Sequence, residues 1–268
     1  MSSFTNSTFA SAGGINPTGK AWISKDANAI TGIALDIGKT AQPLNLWAME
    51  IKYTIPELES AIKVGRPIDA QKLMGMQLKY QMDIDEQVYI GDTDLNVKGL
   101  VNSASVTNSS NVSAGASGST AWTSKTPDEI LADVNEIESS VWQATGYSQA
   151  PRELRLPPAR FSYINNQKVS IAGERSILTY LKENSLCNAV NGAPLNIQPL
   201  KWLTDRGATS TQRMVAYTRA QDRVRFPLVP LQRTPLEYRS LFHITTYYGR
   251  LGVVEFVYPE TVGYRDGI

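Results

Sequence analysis

Between Pro67 and Gly91 the chain carries a helical pattern that is apolar on too much of its circumference for an ordinary surface helix. The stretch PIDAQKLMGMQLKYQMDIDEQVYI spans about 36 Å at roughly 1.5 Å per residue. Leu73, Met76, Tyr80, Ile84 and Val88 form one stripe, and Met74, Leu78, Met82 and Tyr89 form a second beside it. Together they cover roughly 240°, at about 100° per residue, where a core-facing helix needs little more than about 100°. The polar sector, Lys72, Gly75, Lys79, Asp83 and Glu86, is narrow. Such a helix is covered on more than one side: by the chain's own core and, where that core ends, by a neighbouring subunit. The Met/Tyr stripe itself is assigned to the core.

The segments around this helix set the fold class. Residues 1 to 52 are poor in helix signals, and LNLWAMEIKYTI reads as a strand with Trp47, Met49, Ile51 and Tyr53 on one face. A long two-stranded excursion is the natural reading, and a hairpin alone is only marginally stable in water. Pro56 opens a short helix that Gly65 closes. Residues 102 to 120 are a Ser/Asn/Gly/Ala segment that reads as a flexible connection. Its end is sharp. Thr126-Pro127-Asp128-Glu129 combines an N-cap, a first-turn proline and a capping-box glutamate, and Ile130, Val134, Ile137 and Val141 follow at helical spacing. From RELRLPPARFSYI onward, short strands alternate with one clear helix, ERSILTYLKENSL. The closing segment reads as a β-hairpin, SLFHITTYY and GVVEFVYPE around a turn at Gly249 to Gly252. Mixed elements without regular βαβ alternation predict an α+β fold.

Function is constrained mainly by exclusion. Gly14, Gly19 and Lys20 in SAGGINPTGKAW imitate the phosphate-cradling loop G-x-x-x-x-G-K-[S/T]. The metal-ligating hydroxyl position is Ala21, Pro17 removes an N–H donor, and neither a buried strand nor a helix flanks the loop. An exposed loop is the better reading. One histidine, His243, and one cysteine, Cys187, cannot supply a Cys/His metal cluster, and His243 lies in a strand pattern. The acids Asp83, Asp85, Glu86, Asp92 and Asp94 lack calcium-loop spacing. A net charge of +1, from 26 basic and 25 acidic residues, leaves nucleic-acid contact to a local patch. No apolar run is long enough to span a membrane, and no signal peptide is recognisable. No cofactor, metal or catalytic residue is expected.

The ordered set YIGDTDLNVKGLVNS, TPDEILADVNEI, LRLPPARFSYI, NIQPLKWL, MVAYTRAQDRVRFPLVPLQRTPLEYRS and LGVVEFVYPETVGYRDGI resembles tailed-bacteriophage major capsid proteins with the Hong Kong 97-type fold. The resemblance runs from about residue 20 to the C-terminus; LRLPPA and PETVGYRDGI are its most telling pieces. It implies an N-terminal segment and extended loop over 1–52, reaching over the adjacent subunit. It implies a peripheral domain over 53–149, with a spine helix at 65–91 and a flexible insert at 102–124. An axial domain over 150–228 and a return to the peripheral domain over 229–268, ending in the hairpin, complete the division. Family members usually carry an arm before the extended loop, and three readings stay open here: Met1 as an internal residue of a longer gene product, an arm lost to processing, or a short-armed variant. The family's lysine–asparagine cross-link cannot be matched to residues of this chain.

The implied function is a structural subunit that self-assembles into hexamers and pentamers of an icosahedral shell around double-stranded DNA, in a virion assembled in the host bacterial cytoplasm. Decoration, portal and scaffolding proteins are the further partners implied, and DNA would be contacted without sequence specificity. The alternatives are an encapsulin-like nanocompartment shell protein and, more distantly, a nucleotide-binding protein using Gly14 to Lys20. Lys20, Trp22 and Lys25 are expected on the loop over a neighbour. Arg223, Arg225, Arg233 and Arg239 are candidates for intersubunit pairs with Glu57, Glu59 or Asp83.

Overall fold

The computed structural model describes residues 3–12, 34–65, 68–170 and 173–268. In chain order it begins with β1 (Ser3–Ala12), β2 (Ala34–Pro43), β3 (Asn45–Thr54), α1 (Ile55–Val64) and α2 (Ile68–Tyr89). Then come β4 (Gly91–Asp92), β5 (Val97–Lys98), β6 (Ser109–Asn111), α3 (Pro127–Ala144), β7 (Glu153–Leu156) and α4 (Pro158–Asn166). After α5 (Ile177–Asn184), α6 (Leu186–Asn191) and β8 (Asn196–Pro199), the rest is extended: β9 (Arg213–Tyr217), β10 (Val224–Arg225), β11 (Leu228–Arg233), β12 (Glu237–Arg239), β13 (Phe242–Leu251), β14 (Glu255–Phe256) and β15 (Val262–Asp266). The chain divides into two compact units: Met1–Ile55 with Leu228–Gly252, and Pro56–Pro227 with Val253–Ile268.

The smaller unit is built around β13. One side of that strand pairs along its whole length with β3, from Phe242 opposite Thr54 to Leu251 opposite Asn45; β11 and β12 share its other side. The period-two pattern of β3 holds, with Trp47, Met49, Ile51 and Tyr53 turned inward and Leu46, Ala48, Glu50 and Lys52 outward. β1 and β2 form a two-stranded ribbon, Ser3 opposite Pro43 and Ala12 opposite Ala34, whereas LNLWAMEIKYTI, read as a strand of the excursion, pairs as β3 with β13. The expected terminal hairpin does not form. β13 runs straight through Gly249, which lies opposite Trp47, and the chain then leaves this unit. The GVVEFVYPE half supplies β14, which pairs with β10, and the end of the chain supplies β15.

The larger unit carries a five-stranded mixed sheet in the order β6-β15-β9-β7-β8. Its inner strands are buried on both faces, and the middle one, β9, reads accordingly as an almost continuous apolar run, Met214 to Tyr217. On β9, Met214 and Ala216 join one core with Trp122, Ile130 and Ile137, while Val215 and Tyr217 join a second with Leu100, Leu203 and Val262. The capping box forms as written: the Thr126 hydroxyl accepts from Glu129 N–H, and the Glu129 carboxylate accepts from Thr126 N–H at 2.7 Å. Ile130, Val134, Ile137 and Val141 of α3 are fully buried. The helix lies so close to β15 that a Cβ at Gly263 would stand 2.7 Å from a methyl of Val141.

Two further expectations are corrected. Residues 102–124 are no flexible insert: β6 pairs in parallel with β15, and Val112 N–H donates to Asp266 C=O at 3.0 Å. Trp122 is fully buried and donates its indole N–H to Asp133 Oδ2 at 2.8 Å, while Lys125 Nζ reaches that oxygen and Ser113 C=O, each at 2.6 Å. Few apolar residues suffice when the backbone itself takes an edge of the sheet. The PPARFSYI segment, read among short strands, is helical: Pro157 is the N-cap of α4 and Pro158 its first residue, where the missing N–H costs nothing.

Candidate functional site

The long helix poses the functional question. Its first stripe packs inward, with Met76 and Tyr80 buried and Leu73, Ile84 and Val88 half-buried. Near its C-terminal end, Asp85 accepts from the Trp202 indole at 2.8 Å and pairs with Lys201 at 3.2 Å, tying α2 to the turn at Lys201–Leu203. Near its start, Lys72 pairs with Glu57 of α1 at 2.8 Å. The second stripe is a correction to its assignment to the core. Met74, Leu78 and Met82 stand 65%, 60% and 53% exposed, and Ile62 and Val64 of α1 are exposed as well. A period of 3.6 shows which residues share a face, but only the packed chain shows how many faces its own core reaches.

The charged candidates separate into two groups. Glu57 is committed to Lys72, and Asp83 pairs with Lys79 one turn earlier at 2.5 Å. Arg225 on β10 holds the buried carboxylate of Glu255 on β14 at 2.5 Å; Arg223 lies 4.7 Å over the Tyr258 ring and 3.2 Å from Asp222. Within the larger unit neither arginine pairs with Glu57, Glu59 or Asp83. Glu59, Arg233 and Arg239 are exposed and make no ion pair among the described residues. Lys20, Trp22, Lys25 and the Gly14 to Lys20 loop lie outside the described residues.

The smaller unit adds a surface that sequence reading missed. Around the turn from β12 to β13, where Ser240 adopts a positive φ, Tyr238, Leu241 and Phe242 are exposed and Arg239 stands among them. The signal was present in PLEYRSLF, whose apolar residues fall on both strand parities, so one sheet face cannot hide them all. His243 makes an edge-to-face contact with Tyr238 at 4.6 Å, and Cys187 is fully buried, in keeping with their structural readings.

The C-terminal YRDGI is a girder. Arg213 forks onto Asp266 at 2.7 and 2.8 Å and reaches Val101 C=O at 2.7 Å, while the Tyr264 hydroxyl donates to Leu100 C=O. Arg265, almost fully buried, donates to Glu136 at 3.1 Å, Asn108 at 3.1 Å and Ser140 at 2.8 Å. These bonds tie the central strands to α3 and to residues 100–108 from inside one chain. The apolar faces of α2 and of the β12–β13 turn stay exposed among the described residues. No group of three or more metal-ligating side chains occurs among the described residues.

Comparison with known proteins follows the same lines. Residues 19–268 match the family model described as major capsid protein. No curated protein matches the sequence. The solved capsid of Myoviridae phage XM1 is 16% identical with a TM-score of 0.74, over 100% of this chain and 86% of that one. The capsid of an empty GTA particle is 13% identical with a TM-score of 0.60, over 99% and 84%. The SrpI encapsulin from Synechococcus elongatus is 12% identical with a TM-score of 0.52, over 97% and 82%.

Proposed function

The chain belongs to the major capsid protein family and has the Hong Kong 97-type fold, and from that premise we propose how it builds the head shell of a tailed double-stranded DNA bacteriophage. The observation that carries the reading is the second stripe of α2, an apolar face of a long helix that the described residues leave exposed. A water-exposed stripe of this kind marks a protein–protein surface, and in a shell the partner is another copy. The exposed tip around Tyr238 and Leu241 is assigned the same kind of role. The β1–β2 ribbon is assigned to the extended loop, with Lys20, Trp22 and Lys25 on its span over a neighbour. The sheet unit with α3 to α6 is assigned to the axial part of the subunit. Intersubunit ion pairs are assigned to Arg233, Arg239 and Glu59, which make no ion pair among the described residues.

The subunit acts by assembly alone, in hexamers and pentamers, with no catalytic step of its own. Packaged DNA is met through scattered phosphate contacts, weak and salt-sensitive, as suits a chain of net charge +1. Portal, scaffolding and decoration proteins complete the partners, and assembly takes place in the host cytoplasm. No helix among the described residues is long and apolar enough to cross a membrane. The likeness to an encapsulin supplies the second reading, a nanocompartment shell, with the lower TM-score. Particles purified after expression in a phage-producing host decide between them. Closed shells protecting DNA from nuclease are expected; shells holding one protein cargo would support the compartment, and a well-folded chain that stays monomeric at high concentration would refute both.

A further inference from the structure

α6 begins against the side of α3, and two side chains of α3 one turn apart serve its first N–H groups. Asn135 Oδ1 accepts from Leu186 N–H at 2.9 Å, and Glu138 Oε2 accepts from Cys187 N–H at 2.6 Å. Ser185 Oγ takes the next, from Asn188 N–H at 3.3 Å. Three of the donors that a helix start leaves open are thereby satisfied, two of them by another element. Glu138 is an unusual choice for this task. Its side chain is fully buried in the molecule, its Oε1 has no hydrogen-bond partner, and no cation pairs with it among the described residues. A lone buried carboxylate is expensive and normally either pairs or keeps its proton.

Among the described residues no neighbour forms an ion pair with Glu138; on α5, Glu183 is held by Arg175, and Lys182 makes no ion pair with Glu138. On the elements packed against α3, Arg265 of β15 is held by Glu136, Asp266 by Arg213 of β9, and Tyr180 of α5 by Asp128. On α3 itself Asp133 is held by Lys125. From α6 the titratable neighbour is Cys187, whose thiol burial pushes up; Arg152 and Glu153, at the start of β7, act on that thiol with opposite sign. Glu260 lies on the turn Pro259–Thr261, also packed on α3, and makes no ion pair among the described residues.

We propose that Glu138 is a proton-operated clasp: with its carboxyl protonated it seats α6 on α3, and on losing the proton it leaves an unpaired buried charge that favours local release of α6. Burial, opposed only by the Cys187 N–H bond, raises the carboxyl from 4.5 to about 7, which puts the transition near neutrality. Release of α6 would uncover Cys187, the only cysteine of the chain, so a thiol reagent reports on this helix alone. This inference rests on the α3–α6 geometry and stands independently of the shell reading.

The experiment is alkylation of Cys187 by iodoacetamide in the purified full-length chain at several pH values, each rate divided by that of the chain unfolded in denaturant. The corrected wild-type rate is expected to rise about tenfold or more between about pH 5.5 and pH 7 and then level, since one proton is released on opening. Glu138→Gln, which keeps the acceptor for Cys187 N–H but cannot ionise, is expected to give a flat profile. Identical profiles for the two proteins would overturn the proposal. If the variant does not fold, the wild-type chain decides: the Glu138 carboxyl carbon resonance and the protection of the Cys187 and Asn188 amides, their exchange divided by that of the unfolded chain at the same pH, must change with one common midpoint near neutrality. A carboxyl midpoint below about 5, or amide protection that does not change with pH, would equally overturn it.

Discussion

Replacing Met74, Leu78 and Met82 together by glutamine tests whether the second stripe of α2 is an assembly surface. Fully burying one such side chain is worth about 1.5–3 kcal/mol. With 65%, 60% and 53% of these residues still exposed, each has about 1–2 kcal/mol left to gain, and the three together about 3–5 kcal/mol per subunit. At about 1.4 kcal/mol per factor of ten, losing that weakens the contact roughly a hundredfold or more. The isolated chain should hardly notice. Glutamine is a good helix former, and substitutions on exposed faces stay within about 0.5 kcal/mol. Sedimentation velocity across a concentration series measures the assembled fraction, and thermal unfolding of the unassembled chain measures the fold. The expected result is an unchanged melting midpoint with assembly displaced to much higher concentration. Met76→Gln supplies the opposite control: this side chain is buried, so stability should fall by about 2–4 kcal/mol. Normal assembly of the triple variant at wild-type concentration would refute the reasoning, because the stripe would then face solvent in the particle.

Gly263→Ala should lower stability by about 1–3 kcal/mol, read by chemical denaturation, because its methyl would stand 2.7 Å from Val141 in a packed core. Asp266→Asn leaves the Arg213 guanidinium without its buried counter-charge and should cost about 3–5 kcal/mol; a loss under about 1 kcal/mol would contradict the forked geometry. Glu138 gives a sign that can be checked. Its folded pKa of about 7 lies above the ordinary 4.5, so between those values the folded chain binds the extra proton. The stability it contributes is therefore complete below about pH 4.5, falls by up to about 1.4 kcal/mol per pH unit on the way to about 7, and is absent above. Subtracting the profile of Glu138→Gln from that of the wild type isolates this slope, and a difference that rises with pH would contradict it.

Much of the architecture was legible residue by residue. The capping box at Thr126 and the four buried positions of α3 were both local patterns, as were the alternation of β3 and the extent of α2 between Pro67 and Gly91. The candidate interface was only partly legible. Exposed Arg233, Arg239 and Glu59 look no different in sequence from Arg225 and Glu57, which find partners within the chain. The segment at 102–124 misled because composition counts side chains, whereas its order comes from backbone bonds to β15 and from Trp122 finding Asp133. Glu138 carries no local mark of a buried acid, since the donor it serves lies 49 residues away.

The sequence by itself determined the elements and their amphipathic faces, because periodicity, caps and turn residues act within a few positions of one another. It also carried the likeness to capsid proteins, through an ordered series of segments rather than any one motif. Only the tertiary structure decided which faces meet. It sent β13 past Gly249 to lie on β3, set β15 between β6 and β9 in the other sheet, and left the second stripe of α2 exposed among the described residues. The reason is physical: burial and pairing are properties of positions brought together from far apart in the chain. A face reads the same in sequence whether its own core or another subunit covers it.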